Sequence, residues 1–329
     1  MCRLKKAIKY RQMKELCIGI DIGGTNTVFG VVDKNGNFAA ENTISTKKYQ
    51  NIDDFVDALS DAINESLDSI KTNYVLKGIG IGAPNGNYYN GTIEYAPNLN
   101  WTGVVPLSNM LNKNFHVPVV LTNDANAAAV GEMIYGAAKG MDDFIIITLG
   151  TGLGSGLVVN GKVVYGHDGF AGEIGHTIYD PNGRLCACGR KGCLETYASA
   201  TGIKRTVIEL LRNDNTSILN KIPEEKLNSK DIYEAAVKGD KIALEAFDYT
   251  AQILGLKLAD SIAYTSPEAI FLFGGLALSG DYILKPTKKY MEENLLKIYK
   301  DKIKLELSGL MGKNAAILGA AALIWKELK

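Results

Sequence analysis

Apolar residues recur along the chain in two rhythms. LCIGIDIG over 16–23, TVFGVVD over 27–33 and the segment around Phe38–Ser45 are short apolar-rich runs that predict three successive strands. Turns at Gly24–Asn26 and Asn35–Gly36 separate them. Phe55, Val56, Leu59, Ile63 and Leu67 then repeat at helical spacing behind acidic residues, which predicts a helix. A strand over 77–82, a Gly/Asn/Tyr-rich stretch over 85–103, a short helix and a strand over 117–122 follow.

The pattern then restarts. Short strands are expected over 143–150, 156–160 and 162–166, and helices dominate from 194 to 265. The apolar run 269–275 predicts a buried strand; a helix over 281–296, a strand over 303–308 and a closing helix over 314–328 complete the chain. Two α/β units emerge, each opening with three strands and a Gly-Thr turn, and a cleft between such units is a natural ligand site. The expected division is a tail over 1–14, a smaller α/β domain from 15–122 with 313–329, and a larger one over 123–312.

The 329 residues, 46% of them apolar, suffice for two cores. Acidic and basic residues balance at 36 each, so no overall field draws the chain to nucleic acid or to a membrane surface. No apolar run approaches the roughly 18–20 residues that span a bilayer. The basic N-terminus lacks the apolar core of a signal peptide, so it reads as a solvated tail, with Met13 as a candidate start. Three of the five cysteines crowd into Cys186–Cys193. An odd count with one tight cluster speaks against a disulfide framework and for a cytoplasmic protein.

D-I-G-G-T over 21–25 and T-L-G-T-G-L-G-S-G over 148–156 each follow a strand, as does F-G-G-L-A over 273–277. Glycine lets backbone N–H groups approach an anion closely, and threonine adds neutral donors. Neither Gly-Thr turn leads into a helix, which excludes the dinucleotide fingerprint and the P-loop. One such turn alone is an ordinary hairpin; two in equivalent places plus a third point to phosphate and nucleotide binding. The strand over 117–122 delivers Asn123 and Asp124 to a helix start, where one of them suffices as cap. The other is free to accept a hydroxyl proton during phosphoryl transfer.

His176, Cys186, Cys188 and Cys193 form a Cys₃His set suited to tetrahedral Zn²⁺. Four protein ligands leave no open position, so the metal would be structural. The alternative is a loop of reduced thiols or a transient disulfide. Glu173 and Glu195 flank the set. A carboxylate pair alone would also suit a glycosidase, but phosphate turns have no part in that reaction.

Together, E-x-G-H-x₉-C-x-C-G-x₂-G-C-x-E, D-x-G-G-T and N-D-A-N-A resemble the ROK family of sugar kinases and repressors, from about Leu16 to the last helix. E-T-Y-A-S-A-T-G-I over 195–203 is closest to its bacterial glucokinase branch. The resemblance implies a two-domain hexokinase/actin-like ATPase fold, a duplicated ribonuclease H-like motif with an interdomain active-site cleft. It implies ATP-dependent phosphorylation of a hexose, glucose first, with Asp124 as general base. Asn123, Asn98, Glu173, His176 and Glu195 would hold the sugar, His176 with one ring nitrogen on zinc and the other on the sugar. Gly23, Gly24, Thr25, Thr151 and Gly152 would hold phosphates, Gly274 and Gly275 the adenosine, and Asp21 would face Mg²⁺. A homodimer is implied too.

Two loops depart from the family pattern. Ala83-Pro84-Asn85 stands where many relatives have Gly-Pro-Gly, and Asn100 alone separates Leu99 from Trp101. These loops bear on sugar choice, so N-acetylmannosamine, N-acetylglucosamine, mannose or fructose are alternative substrates and polyphosphate an alternative donor. A non-catalytic sugar sensor is the other class, disfavoured by the presence of Asp124. The family's repressors carry a winged-helix domain before the first Gly-Thr turn, and the short segment ahead of Gly23 disfavours that reading. A zinc-dependent nucleic-acid module would need a basic face, and near the cluster only Arg184, Arg190 and Lys191 offer charge.

Overall fold

The computed structural model describes residues 13–312 and 314–328. The solvated tail and the candidate start at Met13 concern residues 1–12, outside the described residues. The chain divides into two compact units. The first comprises the chain up to Lys139, Tyr165–Ala171 and everything from Gly312; the second comprises Gly140–Val164 and Gly172–Met311.

In the first unit β1 (Lys14–Ile22) and β2 (Asn26–Asp33) form an antiparallel hairpin that β3 (Phe38–Ser45) extends. Helix α1 (Ile52–Asp68) starts at Asn51, whose side chain accepts the Asp53 N–H, and it buries the expected stripe of Phe55, Val56, Leu59, Ile63 and Leu67. Strand β4 (Tyr74–Gly82) pairs parallel with β1. The Gly/Asn/Tyr-rich stretch contains a small sheet of β5 (Gly86–Asn87), β6 (Thr92–Glu94) and β7 (Val104–Val105). Helix α2 (Leu107–Phe115) leads to β8 (Val119–Thr122), giving the order β3-β2-β1-β4-β8, and α3 (Asp124–Tyr135) follows at once.

The second unit repeats this order. Its strands β9 (Phe144–Leu149), β10 (Leu153–Val159), β11 (Lys162–Val163), β12 (Ala269–Phe273) and β13 (Lys304–Leu307) run β11-β10-β9-β12-β13. Helices α4 (Ala200–Leu211), α5 (Ser229–Val237), α6 (Lys241–Thr265) and α7 (Asp281–Asn294) supply the rest. β9 and β12 pair parallel and are almost wholly buried, as their unbroken apolar runs require.

The last helix, α8 (Ala315–Glu327), belongs to the first unit and lies on β1 and β4. An added Cβ on Gly80 would overlap the Ala320 carbonyl, and one on Gly19 the Ile317 carbonyl. Glycines in the strands therefore let helix and sheet backbones meet, and alanines dominate the facing helix. The same helix packs along α3. That packing keeps Asp124 in the first unit, and the division falls after Lys139 where the sequence pattern had suggested Asn123.

Two further expectations are corrected. The strand placed at 156–160 begins at Leu153, because Gly154, Ser155 and Gly156 pair with Thr148, Ile147 and Ile146; only 150–152 remain as turn. The strand placed at 162–166 ends at Val163. Tyr165 instead stacks on Tyr88 with ring centroids 3.9 Å apart, and Tyr89 donates its hydroxyl to the Gly166 carbonyl at 2.8 Å.

Candidate active site

The first unit gathers Asp21, the first glycine turn, Asn98, Asn123 and Asp124. β1 carries Asp21 one residue before its end, and the chain reverses through Gly23, Gly24 and Thr25, closed by the Gly23 N–H on the Asn26 carbonyl at 3.0 Å. A Cβ on Gly24 would stand 2.6 Å from the Asn98 carbonyl oxygen. Glycine there brings the Asn98 loop against the turn. Asn100 ties that loop down by donating to the carbonyls of Lys47 and Tyr49 at 3.1 and 3.2 Å. Asn85 takes a left-handed backbone with φ of 49°. Asparagine tolerates that region better than most residues, so the Ala-Pro-Asn turn keeps a conformation glycine would favour.

Asn123 is the cap of α3, its side-chain oxygen accepting the Asn126 N–H at 2.7 Å. The cap role is thus filled, and Asp124 accepts the N–H of Ala125 at 2.8 Å. Solvent reaches the Asp124 side chain, yet the protein packed around it pushes its carboxyl above the usual range against the pull of nearby backbone N–H groups. Asp21 is pushed up to about 7, first by desolvation and then by the charge of Asp124. Between them lies Gly82, where a Cβ would stand 3.5 Å from the Asp124 Cα and 3.7 Å from Asp21 Oδ1. Two carboxyl groups held this way resist simultaneous ionisation, which favours a proton acceptor near neutrality or a bound cation.

The second unit gathers the other two turns, Glu173, Glu195 and the Cys₃His set. Gly150, Thr151 and Gly152 join β9 to β10, and α4 docks on them: the Ala200 N–H bonds the Gly150 carbonyl at 2.9 Å, and the Thr201 hydroxyl bonds the Thr151 carbonyl. The Gly274-Gly275 turn leans on the same strand end through the Leu276 N–H on the Leu149 carbonyl at 3.0 Å. Ser155, which the sequence did not single out, donates to the Gly172 carbonyl and accepts the Ile174 N–H at 3.2 Å. It thereby places the 3₁₀ turn Ile174–His176 and its neighbour Glu173, which is exposed.

The ligand atoms of His176, Cys186, Cys188 and Cys193 all lie within 4.8 Å of one another. Cys186 Sγ is 3.8 Å from His176 Nδ1, and Cys188 Sγ is 3.5 Å from Cys193 Sγ. Tetrahedral zinc with Zn–S near 2.3 Å sets sulfur–sulfur separations of about 3.8 Å, so the set fits that ion. Burial pulls the Cys188 thiol up, but hydrogen bonds from Arg190 and the other thiols hold it down to about 6. That favours the thiolate at Cys188, whereas burial pushes the Cys186 and Cys193 thiols up. The loop folds back because Gly192, with φ of 74°, passes so close to the Asp180 carbonyl that any Cβ would overlap it.

Arg184 anchors this loop, and no sequence spacing announced it. It bonds Glu209 at 2.6 and 3.1 Å, Thr206 at 2.9 Å and the Thr196 carbonyl at 2.8 Å, and stacks 4.6 Å from the Tyr197 ring centroid. Glu195 Oε1 accepts the Cys186 thiol at 2.9 Å and lies 3.8 Å from His176 Nδ1.

Two sheets of one strand order, each turning through glycines at the end of its central strand, with an acid pair beside the first turn, define a two-domain ATPase of the hexokinase–actin class. The chain belongs to the ROK family, whose sequence model matches residues 17–327. It is 34% identical over 314 residues to the glucokinase of Thermotoga maritima, covering 94% of this chain and 98% of that protein. The glucokinase of Halalkalibacterium halodurans is 36% identical over 315 residues, 94% of this chain and 95% of that protein. A ROK family glucokinase from Streptomyces griseus, solved in complex with glucose and AMPPNP, matches with a TM-score of 0.80 at 34% identity, covering 94% of this chain and 99% of that one.

Proposed function

We propose that this protein is an ATP-dependent glucokinase. The observation that carries the reading is Asp124: it opens α3, is relieved of capping by Asn123, and is held above the usual carboxylate range beside Asp21. Such a carboxyl suits a general base working near neutral pH. In the proposed step the glucose 6-hydroxyl oxygen attacks the γ-phosphorus, Asp124 takes the hydroxyl proton, and the bond to the ADP oxygen breaks. Asn98, Asn123, Glu173, His176 and Glu195 orient the sugar. The turns formed by Gly23, Gly24 and Thr25 and by Thr151 and Gly152 receive the phosphates, and Gly274 and Gly275 leave room for adenosine.

Asp21 would hold Mg²⁺ through its waters, and that ion supplies neutralising charge on the phosphates. His176, Cys186, Cys188 and Cys193 would hold a structural zinc, which fixes the sugar-binding loop. A cytoplasmic location and a homodimer belong to the same reading, supported by the family likeness. Among the described residues no helix is long and apolar enough to cross a membrane.

The test is ADP release measured across glucose, mannose, fructose, N-acetylglucosamine and N-acetylmannosamine, with ATP and with polyphosphate. The expected result is the highest kcat/KM for glucose with ATP. Turnover of none of these sugars would end the kinase reading, and preference for an N-acetylhexosamine would move the substrate.

A further inference from the structure

In the second glycine turn most backbone groups have a partner. The Leu149 carbonyl accepts the Leu276 N–H at 3.0 Å, and the Gly150 N–H bonds the Gly152 carbonyl at 3.1 Å. The Gly150 carbonyl accepts the Ala200 N–H at 2.9 Å, and the Thr151 carbonyl accepts the Thr201 hydroxyl. Two donors are left over. Among the described residues, the N–H groups of Thr151 and Gly152 have no partner.

Their direction follows from the carbonyls. A trans peptide points its C=O and its N–H to opposite sides, and the described chain has no cis bond. The Gly150 carbonyl shares a peptide with the Thr151 N–H, and the Thr151 carbonyl shares one with the Gly152 N–H. Both carbonyls are bonded to the first turn of α4, so both N–H groups are turned away from that helix. Two successive N–H groups aimed to one side make a concavity suited to an anion. The turn is exposed at Thr151 and half-buried at Gly152.

The helix start that imposes this is itself fixed. Ser199 accepts the Gly202 N–H at 2.9 Å and donates to the Glu195 carbonyl at 2.7 Å, and Arg184 bonds the Gly202 carbonyl at 3.2 Å. A Cβ on Gly202 would stand 2.6 Å from the Tyr197 carbonyl oxygen, so the helix packs backbone to backbone on the chain before it. Ala200 contributes a backbone group to the glycine turn. Thr201 contributes a side chain, and its bond can be removed without touching the helix backbone.

We propose that Thr201 is a positioning residue for the phosphoryl donor: its hydroxyl holds the Thr151–Gly152 peptide so that the Gly152 N–H stays beside the Thr151 N–H, facing the phosphates. The proposal rests on the reading of this turn as a phosphate site. Without the hydroxyl, the Thr151–Gly152 peptide loses its hold on α4 and can rotate, and one of the two donors leaves the concavity.

The experiment compares Thr201→Val, which keeps the shape and removes the hydroxyl, with Thr201→Ser, which keeps the hydroxyl. It reads affinities for AMPPNP and for adenosine by equilibrium titration, the KM of ATP and of glucose, and the thermal midpoint. Thr201→Val should weaken AMPPNP binding about three- to tenfold, the worth of one hydrogen bond between uncharged groups, and raise the ATP KM by a similar factor. Adenosine affinity, glucose KM and the midpoint of the ligand-free protein should stay near wild type. Thr201→Ser should restore AMPPNP affinity. A role in folding alone predicts a lowered midpoint, with the ATP and glucose KM rising together. That outcome, unchanged AMPPNP affinity in Thr201→Val, or a Thr201→Ser no better than Thr201→Val would overturn the proposal.

Wild-type protein that binds AMPPNP but phosphorylates none of the sugars refutes the kinase reading, and the AMPPNP affinities still decide the role of Thr201. Wild-type protein that binds neither AMPPNP nor polyphosphate refutes the phosphate reading of the turn and this proposal with it. Should Thr201→Val fail to fold, Thr201→Ala takes its place, because alanine is the best helix former. Misfolding of both would make the hydroxyl structural and sink the idea.

Discussion

The two sheets have the same strand order, yet matching positions carry different chemistry. Asp21 on β1 pairs with Val28 and Gly82; its counterpart Thr148 on β9 pairs with Gly154 and Phe273. In the first unit the small Gly82 keeps open the space between Asp21 and Asp124, and the result is an acid pair with raised carboxyls. In the second, the Thr148 hydroxyl accepts the Gly154 N–H at 3.1 Å and steadies the turn. Two positions earlier the contrast recurs: Gly19 and Gly80 admit α8 to backbone contact, whereas Ile146 and Phe271 are bulky and buried. One backbone plan thus places an acid pair beside the glycine turn of one unit and a threonine-braced glycine turn in the other. Side-chain size at a few strand positions makes the difference.

The sharpest test of this asymmetry is Asp124→Asn. It should lower kcat by about 10²–10⁴-fold, the usual worth of general-base catalysis, with glucose affinity by equilibrium titration little changed. Thr148→Val in the matching turn should cost only a few-fold in kcat. Retained turnover in Asp124→Asn would remove the acid pair from the chemistry.

Next in size is packing. Gly80→Ala should destabilise the protein by about 1–3 kcal/mol in urea unfolding, the cost of overpacking against a backbone that cannot yield. Gly275→Ala, which meets open space, should stay within about 0.5 kcal/mol. Equal losses would show that the first unit is not the tighter of the two.

With zinc on the Cys₃His set, as proposed, its chelation should act locally. Amide exchange over 178–193 should rise about tenfold after treatment with a strong chelator, while β1 and α3 keep their protection. Uniform loosening of both units would contradict a centre confined to the second.

A further effect is on pH. Asp21 has its carboxyl raised from 3.8 to about 7 in the folded protein, so the folded state holds a proton that the unfolded state has released. Stability of the ligand-free protein should therefore fall as pH rises between 3.8 and about 7, then level off. Asp21→Asn should flatten that slope, measured by unfolding at a series of pH values; an unchanged slope would assign it elsewhere.

Much of this was legible in the sequence. The strand and helix rhythm located the elements of both units within a few residues, and the Cys₃His spacing put four ligands within reach of one another. Such features are local: periodicity, glycine turns and close-set ligands act over short separations. Asn123 and Asp124 were legible as a pair, and the hydrogen bond to Asn126 then showed which one caps. Ser155 was not legible, because G-L-G-S-G reads as turn until β9 pairs with it. Arg184 was not legible either, since its partners Thr206 and Glu209 sit on α4 and Thr196 in the 3₁₀ turn before it, and no spacing announces how they approach.

The sequence by itself determined the fold class, the glycine turns, the acid at the head of α3 and the composition of the cysteine loop. Each follows from neighbours along the chain. Only the tertiary structure decided that Asp124 belongs with the first unit through α8, that the charge of Asp124 bears on Asp21 across Gly82, and that Glu195 Oε2 stands over Gly152. Those relations join residues separated by tens to hundreds of positions. They depend on which backbones come close enough that a missing Cβ matters, and residue order alone carries no measure of that distance.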